Sequence, residues 1–251
     1  MSIERVMPTL HVYDDPPLDG PTNMARDEVL LRSPEIAASL RLYGWSPATI
    51  SLGYFQRHED VDRLPAHLKS LAVVRRQTGG GAILHDDEIT YCLILDESQP
   101  LGRSSPVALY RLLHECWREA LAAIGYETDL APADWPLPTP RTGAFFCFEK
   151  PGNTDLLLDG AKLLGSAQRR TAGRILQHGS LLLAQRYAGH PGASLGGIAH
   201  DAQTKLRSDF VARVANILGL DANSLNWSPT QLDAIEPLRA KYASDDWTRM
   251  R

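Results

Sequence analysis

The sequence lacks long hydrophobic runs. None of its segments reaches the ~18 consecutive apolar residues by which a membrane-spanning helix is recognised. Residues 1–5 (MSIER) do not begin an apolar segment of the kind that secretory signal peptides carry. The chain is therefore predicted to have no membrane partner, and a cytoplasmic location follows as the default expectation.

Cysteine and excess positive charge are also scarce. The three cysteines, Cys92, Cys116 and Cys147, are too few and too widely spaced for a disulfide framework or a Cys-x-x-Cys zinc pattern. The net charge of −4, from 26 Lys and Arg against 30 Asp and Glu, argues against general nucleic-acid binding, which usually needs a basic surface. We expect no metal site and no nucleic-acid partner.

The composition is that of an ordinary globular protein. Hydrophobic residues make up 43% of the 251 residues and charged residues 22%, enough for a substantial core. Candidate strands and helices are interleaved along the chain, and hairpin-like segments occur among them. This alternation predicts an α/β fold with a mixed rather than purely parallel sheet.

Several elements are predicted from their boundary signals. Ser105 followed by Pro106 predicts a helix start, and the apolar stripe of that helix includes Cys116, which is expected in the core. The pair Asp159-Gly160 favours a type I′ hairpin turn. Further predictions are a helix over residues 23–32 capped by Thr22, a central strand over 90–95 with Cys92 buried, and short strands over 161–164, 174–176 and 179–183.

A glycine loop at residues 79–81 follows the pair Arg75 and Arg76. Glycines let the backbone approach a ligand without interference from Cβ, but a turn that needs positive φ explains them equally well. The loop is not a P-loop, because no Gly-Lys-Ser/Thr follows it. The two arginines could hold an anionic group through fork-like hydrogen bonds, although a solvated strand end is their commoner role.

Two histidines have both chemical and structural interpretations. His85 and Asp86 could be a base and its carboxylate, but adjacent side chains on a strand point to opposite faces, which favours a bracing histidine. His178 lies just before an apolar segment, where a satisfied polar group at a sheet edge is the simpler interpretation. A serine hydrolase triad is poorly supported, because no G-x-S-x-G elbow is present.

Cys147 and Lys162 are the main candidates for covalent chemistry. From the pattern alone, a thiol among phenylalanines defaults to core packing, and a lysine in an apolar strand defaults to an outward position. If the fold instead brings the two together, burial is expected to lower the pKa of Lys162, so that the neutral amine acts as a base. A nearby ammonium or a set of N–H groups would activate the thiol.

Five ordered motifs, covering most of the chain, resemble the lipoate–protein ligase and octanoyltransferase family. They are residues 23–28 (NMARDE), 47–56 (PATISLGYFQ), 75–82 with 85–86 (RRQTGGGA, HD), 162–170 with 177–181 (KLLGSAQRR, QHGSL), and 241–247 (KYASDDW). The resemblance implies the biotin/lipoyl protein ligase fold, which is class II synthetase-like, with a mixed, largely antiparallel sheet flanked by helices. It also implies one catalytic domain over residues 1–251 without a C-terminal accessory domain.

The position of the cysteine distinguishes the branches of this family. Cys147, just before the lysine hairpin, resembles the cysteine of LipM-type octanoyltransferases, and lipoyl amidotransferases place one similarly. Classical octanoyltransferases carry it after the His-Gly motif, where this chain has Ser180. ATP-dependent ligases lack a nucleophilic cysteine before the hairpin. The resemblance therefore implies an acyltransferase, with a ligase lacking its accessory domain and an amidotransferase as alternatives.

The resemblance also implies roles for individual residues. Cys147 would carry an octanoyl or lipoyl group as a thioester, and Lys162 would assist as a base, without ATP or another cofactor. Backbone N–H groups near Gly165 and Ser166 would form an oxyanion hole. Substrate binding would fall to Arg75, Arg76, Thr78, Gly79, Gly80, Gly81, His85, Gly165, Ser166, Ala167, His178 and Gly179.

The implied partners are two carrier proteins. Acyl carrier protein would donate the octanoyl group, and a lysine of an apo lipoyl domain, such as that of the glycine-cleavage H protein, would accept it. Both carriers are acidic, so a local basic rim is expected despite the net negative charge. Its candidates are Arg75, Arg76, Arg169, Arg170 and Arg174.

Overall fold

The structure is a computed structural model that describes residues 9–135, 144–171 and 173–251. Its helices are α1 (Gly20–Arg32), α2 (Ala66–Lys69), α3 (Pro106–Ala122), α4 (His200–Leu218), α5 (Pro229–Ala243) and α6 (Asp245–Thr248), with 3-10 helices at His58–Arg63 and Cys147–Glu149. Among the residues described, no helix has the length and apolar character needed to cross a membrane.

The strands form a large sheet and a small one. They are β1 (Thr9–Leu18), β2 (Ala38–Trp45), β3 (Thr49–Leu52), β4 (Ala72–Arg75), β5 (Ile83–His85), β6 (Glu88–Asp96), β7 (Asp129–Leu130), β8 (Leu156–Leu158), β9 (Ala161–Thr171), β10 (Arg174–Leu182) and β11 (Asp221–Ser224). Over these ranges the large sheet has the order β11-β1-β2-β6-β10-β9-β8-β7, and the small sheet has the order β4-β3-β5.

The large sheet is parallel at one edge and antiparallel elsewhere. Strand β1 runs parallel to β2 and β11, because α1 carries the chain from β1 back to the start of β2. From β2 onward, the neighbouring strands are antiparallel. The prediction of a mixed, largely antiparallel sheet flanked by helices is confirmed.

Each face of the large sheet is covered by its own pair of helices. Helices α3 and α4 pack on one face, where Trp117 and Phe210 stack with their ring centroids 3.8 Å apart. Helices α1 and α5 cover the other face, whose buried cluster includes Met24, Tyr43 and Tyr242. Val74 of β4 belongs to this second cluster, whereas other buried residues of the small sheet, such as Leu52 and Leu84, form a third cluster of their own.

Three elements differ from the predictions. Strand β9, predicted over residues 161–164, extends from Ala161 to Thr171. Helix α1 begins at Gly20 rather than residue 23, because Asp19 Oδ1 accepts the N–H of Thr22 at 2.9 Å and thereby provides the N-cap. The two short strands predicted over 174–176 and 179–183 are one continuous strand, β10, whose polar residues Gln177 and His178 are buried and hydrogen-bonded. The Asp159-Gly160 turn has the two positive φ angles (51° and 78°) of the predicted type.

Candidate active site

Cys147 begins a short 3-10 helix that packs against the glycine loop. The residues before it run beside the loop, where Ala82 N–H donates to the Phe145 carbonyl (2.9 Å) and Cys147 N–H donates to the Ala82 carbonyl (2.8 Å). A Cβ on Gly81 would lie 3.0 Å from the Cys147 nitrogen. The glycine is therefore needed for this close approach, and the loop and the thiol form one structural unit.

Lys162 meets Cys147 inside the protein. Its side chain is 2% exposed, so the outward position favoured by the pattern alone is wrong. The Nζ atom lies 3.3 Å from Cys147 Sγ and 2.9 Å from Asp155 Oδ2, and it stands 5.0 Å from the centroid of the Phe148 ring. A thiol, an ammonium and a carboxylate thus form a connected row, with the lysine in the middle.

This row determines the charge of the lysine. Burial alone would lower the pKa of Lys162, but the charge and hydrogen bond of Asp155, together with Cys147, raise it above the ordinary lysine value. The expectation of a neutral, desolvated Lys162 acting as a base is therefore wrong, because Asp155 compensates for the desolvation. The structure contains an ammonium group placed to pair with a thiolate.

The space for this lysine comes from Gly165. A Cβ at position 165 would collide with Lys162 Cε and Nζ and would lie 3.2 Å from Asp155 Oδ1. Ala167 shares a face of β9 with Gly165 and pairs with His178 on β10. The Lys162 side chain thus covers Gly165, and Ala167 lies beyond it toward His178.

Arg76 holds the glycine loop in place. Its Nη2 donates to the carbonyls of Gly79 (2.8 Å) and Gly81 (2.7 Å), and its Nε donates to Thr78 Oγ1 (3.2 Å). The remaining nitrogen, Nη1, donates to the main chain and hydroxyl of Ser51. Burial lowers the pKa of Arg76 to about 10. The predicted anion-binding role does not hold for this residue, since its guanidinium is engaged by its own chain.

The same correction applies to Arg75 and Arg174. Arg75 Nη1 donates to three carbonyls of residues 53–56, and its Nε and Nη2 donate to the Thr248 carbonyl at 3.1 and 2.8 Å. Arg174 donates to the carbonyls that follow α1. Both are buried. Of the predicted basic rim, Arg169 and Arg170 keep partly or fully exposed side chains.

His178 connects the loop to α1. Its Nδ1 lies 3.3 Å from Asp27 Oδ2 and its Nε2 lies 2.7 Å from Thr78 Oγ1. A carboxylate can only accept, so Nδ1 donates to Asp27. Burial would raise the pKa of Asp27, but His178 and Arg41 hold it below the ordinary value. This chain of bonds fixes Thr78, which is itself buried.

His85 has a bracing role. Its Nδ1 contacts Glu88 Oε1 (2.9 Å), its Nε2 contacts Ser51 Oγ (2.7 Å), and its ring stacks on Trp45 at 3.7 Å. Burial lowers its pKa. Because both nitrogens and one ring face have partners within the chain, the substrate-binding role assigned to His85 does not hold, whereas the bracing interpretation does.

Ser166 points into a buried chain of hydrogen bonds on the opposite face. Gln177 Nε2 donates to Tyr91 Oη, Tyr91 contacts Ser166 Oγ, and Ser166 contacts His114 Nε2, each at 2.7 Å. His114 Nδ1 donates to the Thr154 carbonyl, so Nε2 accepts and the ring is neutral. Burial lowers the pKa of His114 to about 4. A Cβ at Gly179 would collide with Ser166 Oγ, so this glycine keeps the chain intact.

Two residues that surround the Lys162 contact, Asp155 and His114, were missed by the sequence predictions. Asp155 follows Thr154 directly, and its Oδ2 also accepts the Gly152 N–H at 2.7 Å. A carboxylate just before an apolar hairpin was the available signal. His114 was hidden within the apolar stripe of α3, and it holds the Thr154 carbonyl beside Asp155. The other two thiols are buried as predicted, and burial raises the pKa of Cys116 to about 12.

The sequence profile of the lipoyl protein ligase A/B catalytic domain matches residues 19–228. Octanoyltransferase LipM of Staphylococcus aureus is 34% identical, covering 90% of this chain and 92% of that protein. The LipM octanoyltransferase of Bacillus subtilis is 31% identical, over 91% and 94% of the two chains.

Solved structures share the fold. Lipoate–protein ligase A bound with ATP superposes with a TM-score of 0.74 at 19% identity, over 97% of this chain and 99% of that one. The bipartite lipoate–protein ligase of Thermoplasma acidophilum superposes with a TM-score of 0.71 at 18% identity, over 97% and 96%. The structures share the fold, while the profile match and the LipM relatives show that the chain belongs to the lipoyl protein ligase A/B catalytic domain family.

Proposed function

We propose that this protein is an octanoyltransferase that carries the acyl group on Cys147 during protein lipoylation. The observation that carries the proposal is the 3.3 Å contact between the buried Lys162 Nζ and the Sγ of Cys147, a residue that keeps partial exposure. The octanoyltransferase relatives, which match over about nine-tenths of the chain, support the same activity. We also propose that residues 1–251 act as one catalytic domain.

The first half-reaction is a thioester exchange. The Cys147 thiolate attacks the carbonyl carbon of an octanoyl thioester, the new C–S bond forms, and the carrier thiolate leaves and takes up a proton. One thioester replaces another, so no ATP is consumed. The Lys162 ammonium stabilises the attacking thiolate, and N–H groups near Gly165 and Ser166 face the developing oxyanion. A single donor of that kind contributes roughly 3 kcal/mol.

The second half-reaction forms an amide. A neutral lysine amine of the acceptor attacks the acyl-enzyme, a C–N bond forms, and the Cys147 sulfur leaves. The departing thiolate takes the proton that the amine nitrogen loses, so the step balances without Lys162 acting as a base. Because free lysine titrates near 10.4, the acceptor amine has to lose its first proton before attack, and this part of the reaction is expected to speed up with rising pH.

The partners follow from this chemistry. The acceptor is a lipoyl-domain protein, and we propose the glycine-cleavage H protein as that acceptor and acyl carrier protein as the donor. Thr78, Gly79, Gly80, Ala167 and the face beside His178 would line the acyl chain.

The test is intact-mass spectrometry of the protein after incubation with octanoyl carrier protein. We expect a single octanoyl adduct that is absent from Cys147→Ser and present in Cys116→Ser, whose thiol is buried in α3. Addition of apo H protein should then discharge the adduct and yield octanoyl-H protein. Absence of an adduct, with modification of H protein only when free acid and ATP are supplied, would establish a ligase. An adduct formed only from an octanoylated lipoyl domain would establish an amidotransferase.

A further inference from the structure

Phe55 is an exposed aromatic side chain beside the glycine loop. It leaves 69% of its surface accessible, more than Val107 (38%) or Leu232 (44%), the other large exposed hydrophobic residues in the part of the chain that the structure describes. Singly exposed apolar residues need no special explanation. The surroundings of Phe55, however, are those of a binding anchor.

The turn that carries Phe55 is rigid. We call residues 53–56 the aromatic turn. Arg75 Nη1 donates to the carbonyls of Gly53 (3.0 Å), Tyr54 (3.2 Å) and Gln56 (2.7 Å), and Gln56 Oε1 accepts the Gly53 N–H at 2.9 Å. Tyr54 meets Phe55 edge to face, with ring centroids 5.0 Å apart. A buried guanidinium therefore fixes a turn whose tip faces outward.

The aromatic turn is joined to both parts of the reactive site. Tyr54 N–H donates to the Thr78 carbonyl at 2.8 Å, which attaches the turn to the glycine loop. Gln56 Nε2 donates to the Phe145 carbonyl at 3.1 Å, two residues before Cys147. A Cβ on Gly79 would lie 3.8 Å from the Phe55 ring. A molecule that contacts Phe55 is thus placed beside the loop that packs against the thiol.

Two arginines lie beside the rings of this turn. The Arg251 guanidinium lies 5.3 Å from the Phe55 ring centroid and 5.1 Å from that of Tyr54, and Arg169 lies 6.0 Å from Tyr54. Arg57 is also exposed, but Glu59 pairs with it. In the part of the chain that the structure describes, the cations that remain next to the rings are Arg251 and Arg169, and Arg169 also donates to the Gln77 carbonyl at 3.3 Å.

We propose that the aromatic turn, with Arg169 and Arg251, is the docking surface for the acidic carrier domain that delivers the acyl thioester to Cys147. Aromatic and arginine side chains dominate the binding energy of protein interfaces, a rigid anchor loses little entropy on binding, and opposite charges speed the encounter. The inference rests on the proposed function and adds the surface through which the enzyme selects its acyl donor.

The experiment compares two acyl donors. Acylation of Cys147 is followed by mass spectrometry with octanoyl carrier protein and with octanoyl-N-acetylcysteamine, a small thioester that has no protein surface. For Phe55→Ala we expect about a tenfold increase in KM for the carrier substrate, the size of effect typical of an interface anchor, and an unchanged rate with the small thioester. Phe55→Trp should retain most of the carrier activity.

A second pair of variants tests charge and position. Arg251→Glu should lower kcat/KM for the carrier at low ionic strength, and the deficit should shrink as salt is added, because screening weakens exposed charge interactions. Leu232→Ala is the control. It removes an exposed apolar side chain near the start of α5, about 15 Å along that helix from Tyr242, and should leave both donors unaffected.

The outcomes separate this inference from the proposed function. If wild-type protein and Phe55→Ala have the same KM for the carrier while both are acylated normally, the docking surface is wrong and the transferase stands. If neither donor acylates the wild-type protein, the proposed function fails and the docking surface fails with it. Equal losses with both donors would place Phe55 in the chemical step instead and would also overturn the proposal.

Discussion

At the scale of single residues, the site depends on the buried charge of Lys162, which contacts both Cys147 and Asp155. A buried ammonium with only a thiol beside it would tend to lose its proton, because desolvation disfavours the charged form. At Lys162 the Asp155 carboxylate, whose Oδ2 lies 2.9 Å from Nζ, keeps the amine protonated. The lysine thereby acts as a fixed cation next to the sulfur, which suits the stabilisation of a thiolate and of an oxyanion.

Asp155→Asn tests this assignment. The change keeps the shape of the side chain but removes its charge, so burial becomes the dominant influence and the pKa of Lys162 falls. Acylation should slow by about tenfold or more at pH 7, less than the hundredfold or larger loss seen when a direct oxyanion donor is removed. Activity that needs the ammonium should then decline as pH rises between about pH 6 and pH 9, whereas the wild-type protein should show no such decline in acylation.

Asp159→Asn is the matched control for that measurement. Asp159 lies four positions later, is exposed, and has a φ of 51° that asparagine tolerates well. Its pH–rate profile should follow that of the wild-type protein. If Asp155→Asn also leaves the profile unchanged and only lowers the melting temperature, Asp155 has a purely structural role.

His114 makes a second residue-scale prediction, on stability. The folded protein holds it neutral with a pKa of about 4, whereas an unfolded histidine takes up a proton near 6.5. A depressed folded pKa contributes stability that is present above the unfolded pKa and is lost as pH falls toward the folded value. His114 alone should therefore cost roughly 3 kcal/mol of unfolding free energy between pH 7 and pH 4.

The measurement is urea unfolding of wild type and His114→Gln across this range. The variant should be less stable at pH 7, because the hydrogen bonds from Ser166 and to Thr154 are weakened. Between pH 7 and pH 4 the variant should lose less unfolding free energy than the wild-type protein, and the difference should be a large part of the roughly 3 kcal/mol assigned to His114. Parallel pH curves for the two proteins would contradict the assignment. Buried His85, present in both, contributes equally and cancels in the comparison.

At the scale of elements, the sequence predicted apolar periodicity well and buried polar chemistry poorly. The start of α3 at Pro106 and the hairpin at Asp159-Gly160 were predicted because caps and turns act locally. The sequence prediction divided β10 into two strands, because polar residues such as Gln177 and His178 are rarely buried unless they have hydrogen-bond partners. Their partners, Tyr91 and Asp27, come from distant parts of the chain, which one sequence cannot reveal.

The same limit applies to the candidate site, where contacts between distant parts of the chain could not be predicted. The family resemblance identified Cys147 and Lys162, but it could not show that Arg75 and Arg76 serve backbone carbonyls, because those acceptors are brought near by the fold. Asp155 was missed for the same reason, since its meaning depends on Lys162 seven residues later. The sequence thus marked Arg75 and Arg76 as important, but their hydrogen-bond partners, and therefore their roles, could be read only from the fold.

The glycine loop allows a prediction at this scale. Gly81→Ala adds a Cβ 3.0 Å from the Cys147 nitrogen and 3.2 Å from the Phe145 carbonyl oxygen, closer than most Cβ contacts, so the neighbouring backbone has to move by a few tenths of an ångström. We expect acylation by octanoyl-N-acetylcysteamine to fall by about tenfold, less than the roughly hundredfold loss that a displacement of about 1 Å causes. Gly79→Ala, whose Cβ meets only the Phe55 ring at 3.8 Å, should retain activity within about threefold. Equal losses in the two variants would contradict this division.

At the scale of the whole molecule, the ordered motifs of the chain meet around one core. Glu28 on α1 accepts from Lys241 (2.8 Å) and Tyr242 (2.5 Å), so the first and last motifs are in contact. The Trp247 indole donates to the Arg75 carbonyl at 2.9 Å. The end of the chain therefore stabilises the strand that leads into the glycine loop, and the site depends on the integrity of the complete fold.

Unfolding should accordingly be a single transition, although there are two sheets. Val74 of the small sheet packs into the cluster on α1, and His85 bonds to Glu88 on the large sheet. Leu84→Ala removes a buried side chain in the small sheet, and Leu93→Ala removes one in the large sheet. Each should cost about 2–5 kcal/mol, and calorimetry should show one endotherm shifted to lower temperature in both, with equal calorimetric and van't Hoff enthalpies. If Leu84→Ala instead splits off an early transition and leaves the main one in place, the small sheet with its glycine loop is a separate folding unit. The small sheet and the large sheet would then be able to unfold independently of each other.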